Sequence, residues 1–381
     1  MTKKERSEFD VLVIGGGPAG SACAIRLANA GARVALIDSS DFSRFRIGET
    51  IEPEAGTLLL QLGLDANNQS WSAPCSGVTA AWGTPNPMHR PSLLNPLGRG
   101  WRVERREFDR ALFAQAQISG ATTLTSCHVA SAERKSDMWL FTLATQHGPI
   151  SGRAAWMVAA TGRSARTPLA PSRSRLWLDR LVGIALLERT KAQESTYSST
   201  TALVEAAPCG WWYSAIIPHN GRLAVFFTDA DLLAGKNNLG KFLRGQLSYC
   251  PLIGAECAYI HDWTVRRDWC GFDARSSIRR IVISNGWVAL GDAAIALDPL
   301  CGRGITEALR SGTEVGEWLL RSSRVDQNGL PAWAERAATR FNDFIVQRRA
   351  TYARETRWAN SRFWQRRQSE SAATVFQSKH D

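Results

Sequence analysis

The feature that most constrains this chain is a strand, a glycine-rich turn and a helix within residues 9–38. The apolar run "FDVLVI" predicts a buried strand, and "GGGPAG" follows it directly. The stretch "SACAIRLANAG" has the small residues of a helix that packs closely on a sheet, and "ARVALID" predicts a second strand. This order is a βαβ unit with its glycines at the strand-to-helix turn.

Each glycine of this turn has a physical task. Gly15 makes the tight turn, Gly17 lets the backbone approach a pyrophosphate, and Gly20 lets the helix pack on the strand. The free N–H groups at the helix N-terminus favour phosphates. Asp38, at the end of the second strand, can accept hydrogen bonds from a ribose. The segment therefore predicts a dinucleotide-binding fold of the Rossmann type.

A second glycine turn follows a strand at residues 287–309, "WVALGDAAIALDPLCGRGITEAL". Asp292 can bond the hydroxyls of a polyol chain, and Pro299 fixes the chain direction. Gly302 and Gly304 let backbone N–H groups approach an electron-poor ring at a helix start, where they stabilise an anionic reduced ring. The two turns together predict FAD, with its pyrophosphate at the early turn and its ring at the late one.

Composition narrows the class of protein. The chain has 381 residues, 44% hydrophobic and 21% charged, which fits a globular protein with room for two domains. Its formal charge of +11 comes mainly from arginine, and suits an acidic partner or a phosphate-bearing cofactor. No basic run is interleaved with aromatic residues, so we expect no nucleic-acid partner.

Cysteine spacing and hydropathy exclude further classes. The eight cysteines form no C-x-x-C pair and no Cys/His spacing that suits zinc, so we predict no metal site. No stretch approaches about 18 uninterrupted apolar residues, which predicts no membrane span. The N-terminus has no apolar stretch of the signal-peptide kind. We therefore expect a cytoplasmic protein.

Five stretches, taken in order, resemble a known family. "GGGPAGSACAIRLANAGARVALID", "FRIGET", "WRVERREFDRAL", "AATG" and "GDAAIALDPLCGRGI" resemble the fingerprints of flavin-dependent monooxygenases and halogenases of the hydroxybenzoate-hydroxylase type. The resemblance covers nearly the whole chain. It implies bound FAD, O2 as a co-substrate, and NAD(P)H or a reductase as a transient electron donor. It also implies cofactor contacts at Gly15, Gly17, Pro18, Ala19, Gly20, Asp38, Arg46, Arg105, Val129, Gly162, Asp292, Pro299, Gly302, Gly304 and Ile305.

The predicted fold is α/β and has three parts. A Rossmann-like FAD-binding domain of the glutathione-reductase type takes residues 1–71, 101–171 and 272–325. An antiparallel-sheet substrate domain is inserted at residues 72–100 and 172–271. A C-terminal helical region with a polar tail takes residues 326–381.

Three stretches resemble a narrower subgroup, often labelled tryptophan halogenase-like: "GWWYSAIIP", "GWRVERREFDRAL" and "YARETRWANSRFWQRR". This subgroup contains flavoproteins that mature amine dehydrogenases and amino-acid oxidases carrying cysteine tryptophylquinone. The resemblance implies an FAD-dependent monooxygenase that acts through a flavin C4a-hydroperoxide. Its expected substrate is a tryptophan in the precursor protein of a quinone-dependent oxidase or dehydrogenase.

Halogenation is disfavoured by two departures from the halogenase pattern. The halogenase lysine should lie near Cys75 or Ser76, but no lysine stands between residues 4 and 135. The tryptophan-x-tryptophan-x-Ile-Pro motif is also broken, because Tyr213 and Ala215 replace its tryptophans. The alternatives left open are a hydroxylase of a small aromatic natural product, an isoprenoid reductase, and an FAD-binding assembly chaperone.

Five residues are the candidates for catalysis or substrate contact. We expect Trp82, Trp211, Trp212 and Tyr213 to lie near the substrate cavity, since aromatic side chains suit stacking on an aromatic substrate. Glu49 is predicted to face the flavin edge, with capping of the following helix as the alternative.

Overall fold

The computed structural model describes most of the chain. The described residues are 7–164, 175–188, 200–219, 221–233, 238–257, 269–280, 282–321 and 331–369. Predictions that fall between these ranges, including the polar tail at 370–381, lie outside the described residues.

Strands and helices alternate early in the chain, and the chain ends in helices. The strands are β1 (Ser7–Ile14), β2 (Val34–Ile37), β3 (Thr50–Ile51), β4 (Ser72–Cys75), β5 (Gly77–Ala81), β6 (Met88–Pro91), β7 (Gly100–Val103), β8 (Thr122–Leu124), β9 (His128–Lys135), β10 (Met138–Ala144), β11 (Ile150–Ala159), β12 (Arg175–Trp177), β13 (Leu181–Glu188), β14 (Thr201–Ala207), β15 (Gly210–Ile217), β16 (Gly221–Asp229), β17 (Trp269–Asp273), β18 (Ser277–Arg279), β19 (Ile283–Ser284), β20 (Trp287–Ala289) and β21 (Ile295–Ala296). The helices are α1 (Pro18–Asn29), α2 (Glu54–Gln61), α3 (Arg105–Ile118), α4 (Ala230–Leu233), α5 (Leu239–Leu247), α6 (Pro251–Glu256), α7 (Gly304–Arg321), α8 (Ala332–Ala353) and α9 (Arg362–Gln368).

A parallel sheet forms the centre of the first layer, in the order β20-β11-β1-β2-β8. β11 pairs in parallel with β1 and β20, and β2 pairs in parallel with β1 and β8. The early turn after β1, Asp38 after β2 and the late turn after β20 therefore reach the same edge of the sheet. Ligands of open α/β sheets bind outside the carboxyl ends of the strands, so this edge is where a site is expected.

Two helices that begin at the two turns cross in direct contact. A Cβ at Gly312 of α7 would overlap the carbonyl oxygen of Ala19 in α1, and one at Gly316 would press on Arg26 Cβ. Small residues at a crossing let helix backbones approach closely. This crossing brings the N-terminal ends of α1 and α7 side by side, although some 270 residues of sequence separate the two turns.

The second layer is a mostly antiparallel sheet in the order β17-β13-β16-β15-β14-β5-β6. The pairing of β14 with β5 is its one parallel contact among the described strands. α5 and α6 cover one face through Leu243 and Ile253, which pack with Trp212. The opposite face packs on the C-terminal helices, where Tyr352 and Trp364 are fully buried.

Strands from two separate stretches of the chain build the second sheet. β5 and β6 come from residues 77–91 and join the sheet built by β13 to β17, as an inserted domain requires. α8 and α9 lie in the predicted C-terminal helical region. The exact domain boundaries stay a prediction.

Candidate active site

A cavity of about 1340 Å³ lies between the carboxyl edge of the parallel sheet and the second sheet. Gly15 and Gly17 of the early turn line it, and so do Gly302 and Gly304 of the late turn. The two glycine turns therefore meet at one cavity, as the sequence predicts.

The early turn needs glycine for two different reasons. Gly15 has φ +111°, and a Cβ there would overlap the carbonyl oxygen of Ala160. A Cβ at Gly20 would overlap the carbonyl oxygen of Gly15. A Cβ at Gly17 would meet no heavy atom within 4 Å, although Gly17 lines the cavity. Gly15 and Gly20 thus serve the fold, whereas Gly17 leaves space for a ligand at the N-terminus of α1.

Asp38 stands at the cavity beside the early turn. Its Oδ2 accepts the N–H of Gly16 at 2.7 Å, and its Oδ1 accepts the N–H of Ser40 at 2.8 Å. A carboxylate has about four acceptor positions. Ser40 Oγ also donates to Oδ1 at 2.7 Å, so the carboxylate is held against the turn with about one acceptor position left for a ligand in the cavity.

Two cavity arginines are held by one buried aspartate that sequence reasoning missed. Asp109 is fully buried and lies 2.8 Å from Arg46 Nη1 and 3.1 Å from Arg105 Nε. Arg105 also donates to the carbonyl of Ile47 at 2.7 Å. Both arginines line the cavity, so Asp109 orients two cations towards it. The signal was present in the R-x-x-F-D pattern, whose last residue is Asp109.

The late turn is held by side chains on both sides. Asp298 is buried and caps the short helix Pro299–Cys301 by accepting the N–H of Leu300 at 3.0 Å. Gly302 has φ +68°, and α7 begins two residues later. A Cβ at Gly302 or Gly304 would meet nothing within 4 Å. The turn therefore leaves open space at the N-terminus of an 18-residue helix, where backbone donors favour an anionic group.

Asp292 has a cationic partner that the sequence did not reveal. Its Oδ2 lies 3.0 Å from Arg163 Nε, and both residues line the cavity. Arg163 also donates to the carbonyls of Arg275 and Leu297, each at 2.6 Å. Arg163 follows Gly162 in the "AATG" stretch, which is the only sequence signal that pointed to it.

The cavity fits FAD on the evidence of its own residues. All the predicted cofactor residues except Gly20 line it, namely Gly15, Gly17, Pro18, Ala19, Asp38, Arg46, Arg105, Val129, Gly162, Asp292, Pro299, Gly302, Gly304 and Ile305. Added side-chain atoms at Gly17, Gly302 and Gly304 would project into open space rather than into protein. The site thus has donors and cations for a pyrophosphate and a bare backbone for a ring.

A buried acid lies at the same cavity. Glu49 lines it, and its Oε1 accepts the N–H of Gly48 at 2.7 Å. Burial raises the pKa of Glu49 to about 7, and the backbone N–H bonds and the charge of Arg105 lower it by less. Tyr213 is hydrogen-bonded to Thr50 Oγ1 at 2.7 Å, and burial followed by the Glu49 charge raises its pKa. Glu49 can therefore hold or release a proton near neutral pH.

Aromatic side chains of the second sheet form one wall of the cavity. Trp211 and Tyr213 of β15 line it together with Phe227 and Phe272. The rings of Trp211 and Phe227 stack with centroids 4.1 Å apart and planes 22° apart. Sequence reasoning missed both phenylalanines because alternation along a strand does not show which face meets the cofactor.

Two of the predicted aromatic residues lie elsewhere. The prediction that Trp212 lies at the cavity is wrong. Neighbouring residues along a strand point to opposite faces of the sheet, and the Trp212 ring packs with Phe226 under α5 and α6. Trp82 does not line the cavity. It packs behind the wall, 6.4 Å from Trp211 between ring centroids, and donates to the carbonyl of Thr351 at 2.8 Å.

The cavity has no lysine among the described residues that line it. The Cys301 thiol lies beside the late turn and accepts the N–H of Arg303 at 3.4 Å, and burial raises its pKa to about 12. A thiol that stays protonated is a poor nucleophile, so Cys301 serves packing there.

The described ranges contain no cluster of three or more His, Cys, Asp or Glu side chains placed to bind a metal ion. No helix within them has the length and apolar character needed to cross a bilayer.

Comparison with known proteins identifies the cofactor class. Residues 8–172 match the family model described as FAD binding domain. LodB of Marinomonas mediterranea, named as an FAD-dependent oxidoreductase, is 27% identical over 369 residues, covering 96% of this chain and 98% of LodB. This match spans both the FAD-binding segments and the inserted sheet.

Two solved structures share the fold. The myxobacterial chondrochloren halogenase CndH superposes with a TM-score of 0.81 at 22% identity, covering 95% of this chain and 86% of its own. QhpG, a peptidyl tryptophan dihydroxylase essential for tryptophylquinone cofactor biogenesis, superposes with a TM-score of 0.76 at 24% identity, covering 95% and 79%. The chain is thus an oxidoreductase with an FAD-binding domain at residues 8–172 and the fold of these two enzymes, and the predicted α/β class is confirmed.

Proposed function

We propose that this protein is an FAD-dependent monooxygenase that hydroxylates a tryptophan side chain in the precursor polypeptide of a quinone-dependent oxidase or dehydrogenase. One observation carries the proposal. The cavity with the FAD-binding residues continues to an aromatic wall of Trp211, Tyr213 and Phe227, with Glu49 beside it. An electron-rich ring is the substrate that such a wall stacks and orients.

The residues of the chain have separate tasks in this proposal. When bound and reduced, FAD supplies the activation of O2. Arg46 and Arg105, oriented by Asp109, hold the dinucleotide with the N-terminus of α1. The backbone of Gly302 and Gly304 approaches the ring at the start of α7. NAD(P)H or a reductase is the proposed electron donor.

Glu49 is the proposed proton acceptor. A ring carbon that gains oxygen must lose its hydrogen as a proton for the aromatic system to be restored, and a base with a pKa near the working pH accepts it most efficiently. The Glu49 carboxylate has such a pKa, about 7, because it is buried. Its neighbour Tyr213 stays protonated and can donate a hydrogen bond to the substrate or to Glu49.

Hydroxylation is supported over halogenation by the composition of the site. A halogenase needs a lysine that holds or steers hypohalous acid, and no described cavity-lining residue is a lysine. Cys75, near the position that a halogenase lysine would take, is buried with its Sγ 3.5 Å from the carbonyl oxygen of Gly77. The likeness to QhpG, a peptidyl tryptophan dihydroxylase by name, supports a peptide substrate.

The test uses the full chain with FAD, NAD(P)H or a flavin reductase, O2 and bromide. The probe is a synthetic peptide with one tryptophan, taken from the precursor subunit of a tryptophylquinone dehydrogenase, and the control peptide has phenylalanine in its place. We expect a mass gain of one or two oxygen atoms on tryptophan, labelled when ¹⁸O2 is supplied. A brominated product, or oxidation of reduced FAD with both peptides unmodified, would overturn the proposal. Oxygenation of free indole alone would favour the small-molecule hydroxylase.

A further inference from the structure

The free edge of the second sheet has an unusual surface. Between Asp65 and Glu104 the sequence contains no acidic residue, yet it contains Arg90 and Arg99. In the same stretch Met88 is 63% exposed, and Leu94 and Leu97 are 77% and 58% exposed. Large exposed side chains that are grouped together mark interaction sites, whereas scattered ones need no explanation.

The strand register connects this edge to the cavity. Met88 of β6 faces Ala80 of β5, Ala80 faces Val204 of β14, and Val204 faces Tyr213 of β15. Residues that face each other across strands lie on the same face of a sheet. Met88 therefore lies on the face that Tyr213 presents to the cavity. Strands are spaced by about 4.8 Å, so the row spans about 14 Å.

The row is half-buried near the cavity and exposed at the edge of the sheet. Ala80 and Val204 are half-buried, and Met88 is exposed. One step along the strands, Val78 faces Arg90 on the same face, and both are exposed. We call Tyr213, Val204, Ala80, Met88, Val78 and Arg90 the edge track.

The two faces of the sheet differ close to the cavity. The face opposite the cavity is covered there by α5 and α6, which pack on Trp212 and Leu203. On the cavity side the edge track is bordered by Trp82, which α8 holds through the carbonyl of Thr351. At β6 both faces are exposed, through Met88 on one and His89 on the other, and the edge track is the face that is shared with Tyr213.

We propose that the edge track is the docking surface for an extended, acidic segment of the precursor polypeptide, which delivers its tryptophan to Tyr213; this inference rests on the proposed function. At about 3.3 Å per residue, about four extended residues span the distance from β6 to the cavity. Arg90 and Arg99, without acids in their own stretch, complement carboxylates.

Binding is measured first, without turnover. The probe is a fluorescein-labelled peptide with one tryptophan flanked by aspartate and glutamate, compared with its asparagine and glutamine counterpart. We expect the acidic peptide to bind the FAD-loaded protein more tightly, and Arg90→Glu combined with Arg99→Glu to weaken it about tenfold at low salt. The difference should shrink as ionic strength rises. The control variant is Arg244→Glu, because Arg244 is exposed on α5, over the opposite face of the sheet. It should bind the acidic peptide like wild type.

A second variant tests the path rather than the charge. Ala80→Trp fills the middle of the edge track and should raise the KM for peptide hydroxylation about tenfold or more, with FAD binding unchanged. Oxygenation of free indole by this variant should equal that of wild type, since indole does not need the edge track.

The outcomes separate this inference from the proposed function. If peptide binding depends on Arg90 but no oxygenation occurs, the docking surface is supported and the proposed monooxygenase activity is overturned. If tryptophan oxygenation is the same in wild type, Arg90→Glu and Ala80→Trp, the docking surface is overturned and the monooxygenase activity is supported. Activity only on an aromatic group carried by an acyl carrier protein, with no peptide binding, also overturns the docking inference.

Discussion

The phenolic oxygen of Tyr352 donates a hydrogen bond to Asp298 Oδ2 over 3.0 Å in a fully buried setting. The same oxygen accepts the indole N–H of Trp211 at 3.1 Å. Arg348, one helical turn earlier in α8, donates to Asp298 at 3.0 Å. α8 thus holds both the late turn, through Asp298, and the aromatic wall of the cavity, through Trp211, so the distance between them depends on this helix.

Removal of this link should loosen both parts of the site. Tyr352→Phe leaves the buried indole N–H of Trp211 without its acceptor and removes one of the donors to Asp298, which keeps Arg348 and the N–H of Leu300. The unpaired buried N–H costs about 1–3 kcal/mol of the free energy of unfolding. We expect weaker FAD binding and a lower rate of peptide hydroxylation, measured by flavin fluorescence titration and mass spectrometry. Tyr249→Phe, at an exposed tyrosine, is the control. Unchanged FAD affinity and rate in Tyr352→Phe would show that α8 does not position the turn.

The two roles of glycine in the early turn can be separated. Gly17→Ala should leave the thermal stability of the FAD-free protein near wild type, because its Cβ meets no protein atom and its φ of −73° suits any residue. It should weaken FAD binding about tenfold or more, since the methyl group occupies the place of a pyrophosphate. Gly20→Ala should instead lower the stability of the FAD-free protein, because its Cβ overlaps the Gly15 carbonyl. Equal effects of the two variants would contradict this division.

Glu49 should make stability depend on pH. Its pKa is raised by burial from 4.5 to about 7, so the folded protein holds a proton that the unfolded chain has lost over this interval. The free energy of unfolding of wild type relative to Glu49→Gln should therefore fall by about 3 kcal/mol as pH rises from about 4.5 to 7, and then level off. Urea unfolding of FAD-free wild type and Glu49→Gln at several pH values measures this difference in the free energy of unfolding. A difference that is constant with pH would place the Glu49 pKa at its ordinary value.

The rate of hydroxylation should follow the same ionisation. If Glu49 accepts the proton, the rate in wild type rises with pH through about 7, as its carboxylate forms. Glu49→Gln should be slower and should lose this rise, whereas Glu54→Gln, in the first turn of α2, should keep it. A pH profile that survives in Glu49→Gln would assign the base to another group.

Adjacent tryptophans should differ in function. Trp211→Phe should raise the KM for the peptide about threefold to tenfold, because Trp211 lines the cavity. Trp212→Phe should leave this KM unchanged and lower the free energy of unfolding by about 1–3 kcal/mol, because its ring packs against Phe226 on the opposite face. Steady-state kinetics measure the KM of each variant for the peptide, and urea unfolding measures its free energy of unfolding.

The sequence by itself determined the local parts of this protein. Gly15, Gly20 and Asp38 could be assigned because strand, turn and helix are contiguous, and sterics at a tight turn leave few alternatives. The second turn was recognised in the same way. That both turns meet at one cavity could also be predicted, since each supplies only part of a dinucleotide site.

The tertiary structure alone decided which side chains meet across long separations. Arg46 with Asp109, Arg163 beside Asp292, and Tyr352 on Asp298 are pairings between separate parts of the chain whose contact no local pattern encodes. The positions of Trp211 and Trp212 needed the sheet as well, because both faces of β15 are buried and hydrophobic. A strand buried on both sides loses the alternation that would reveal its inner face. Only packing, with the cavity on one side of β15 and α5 and α6 on the other, decides which tryptophan lines the cavity.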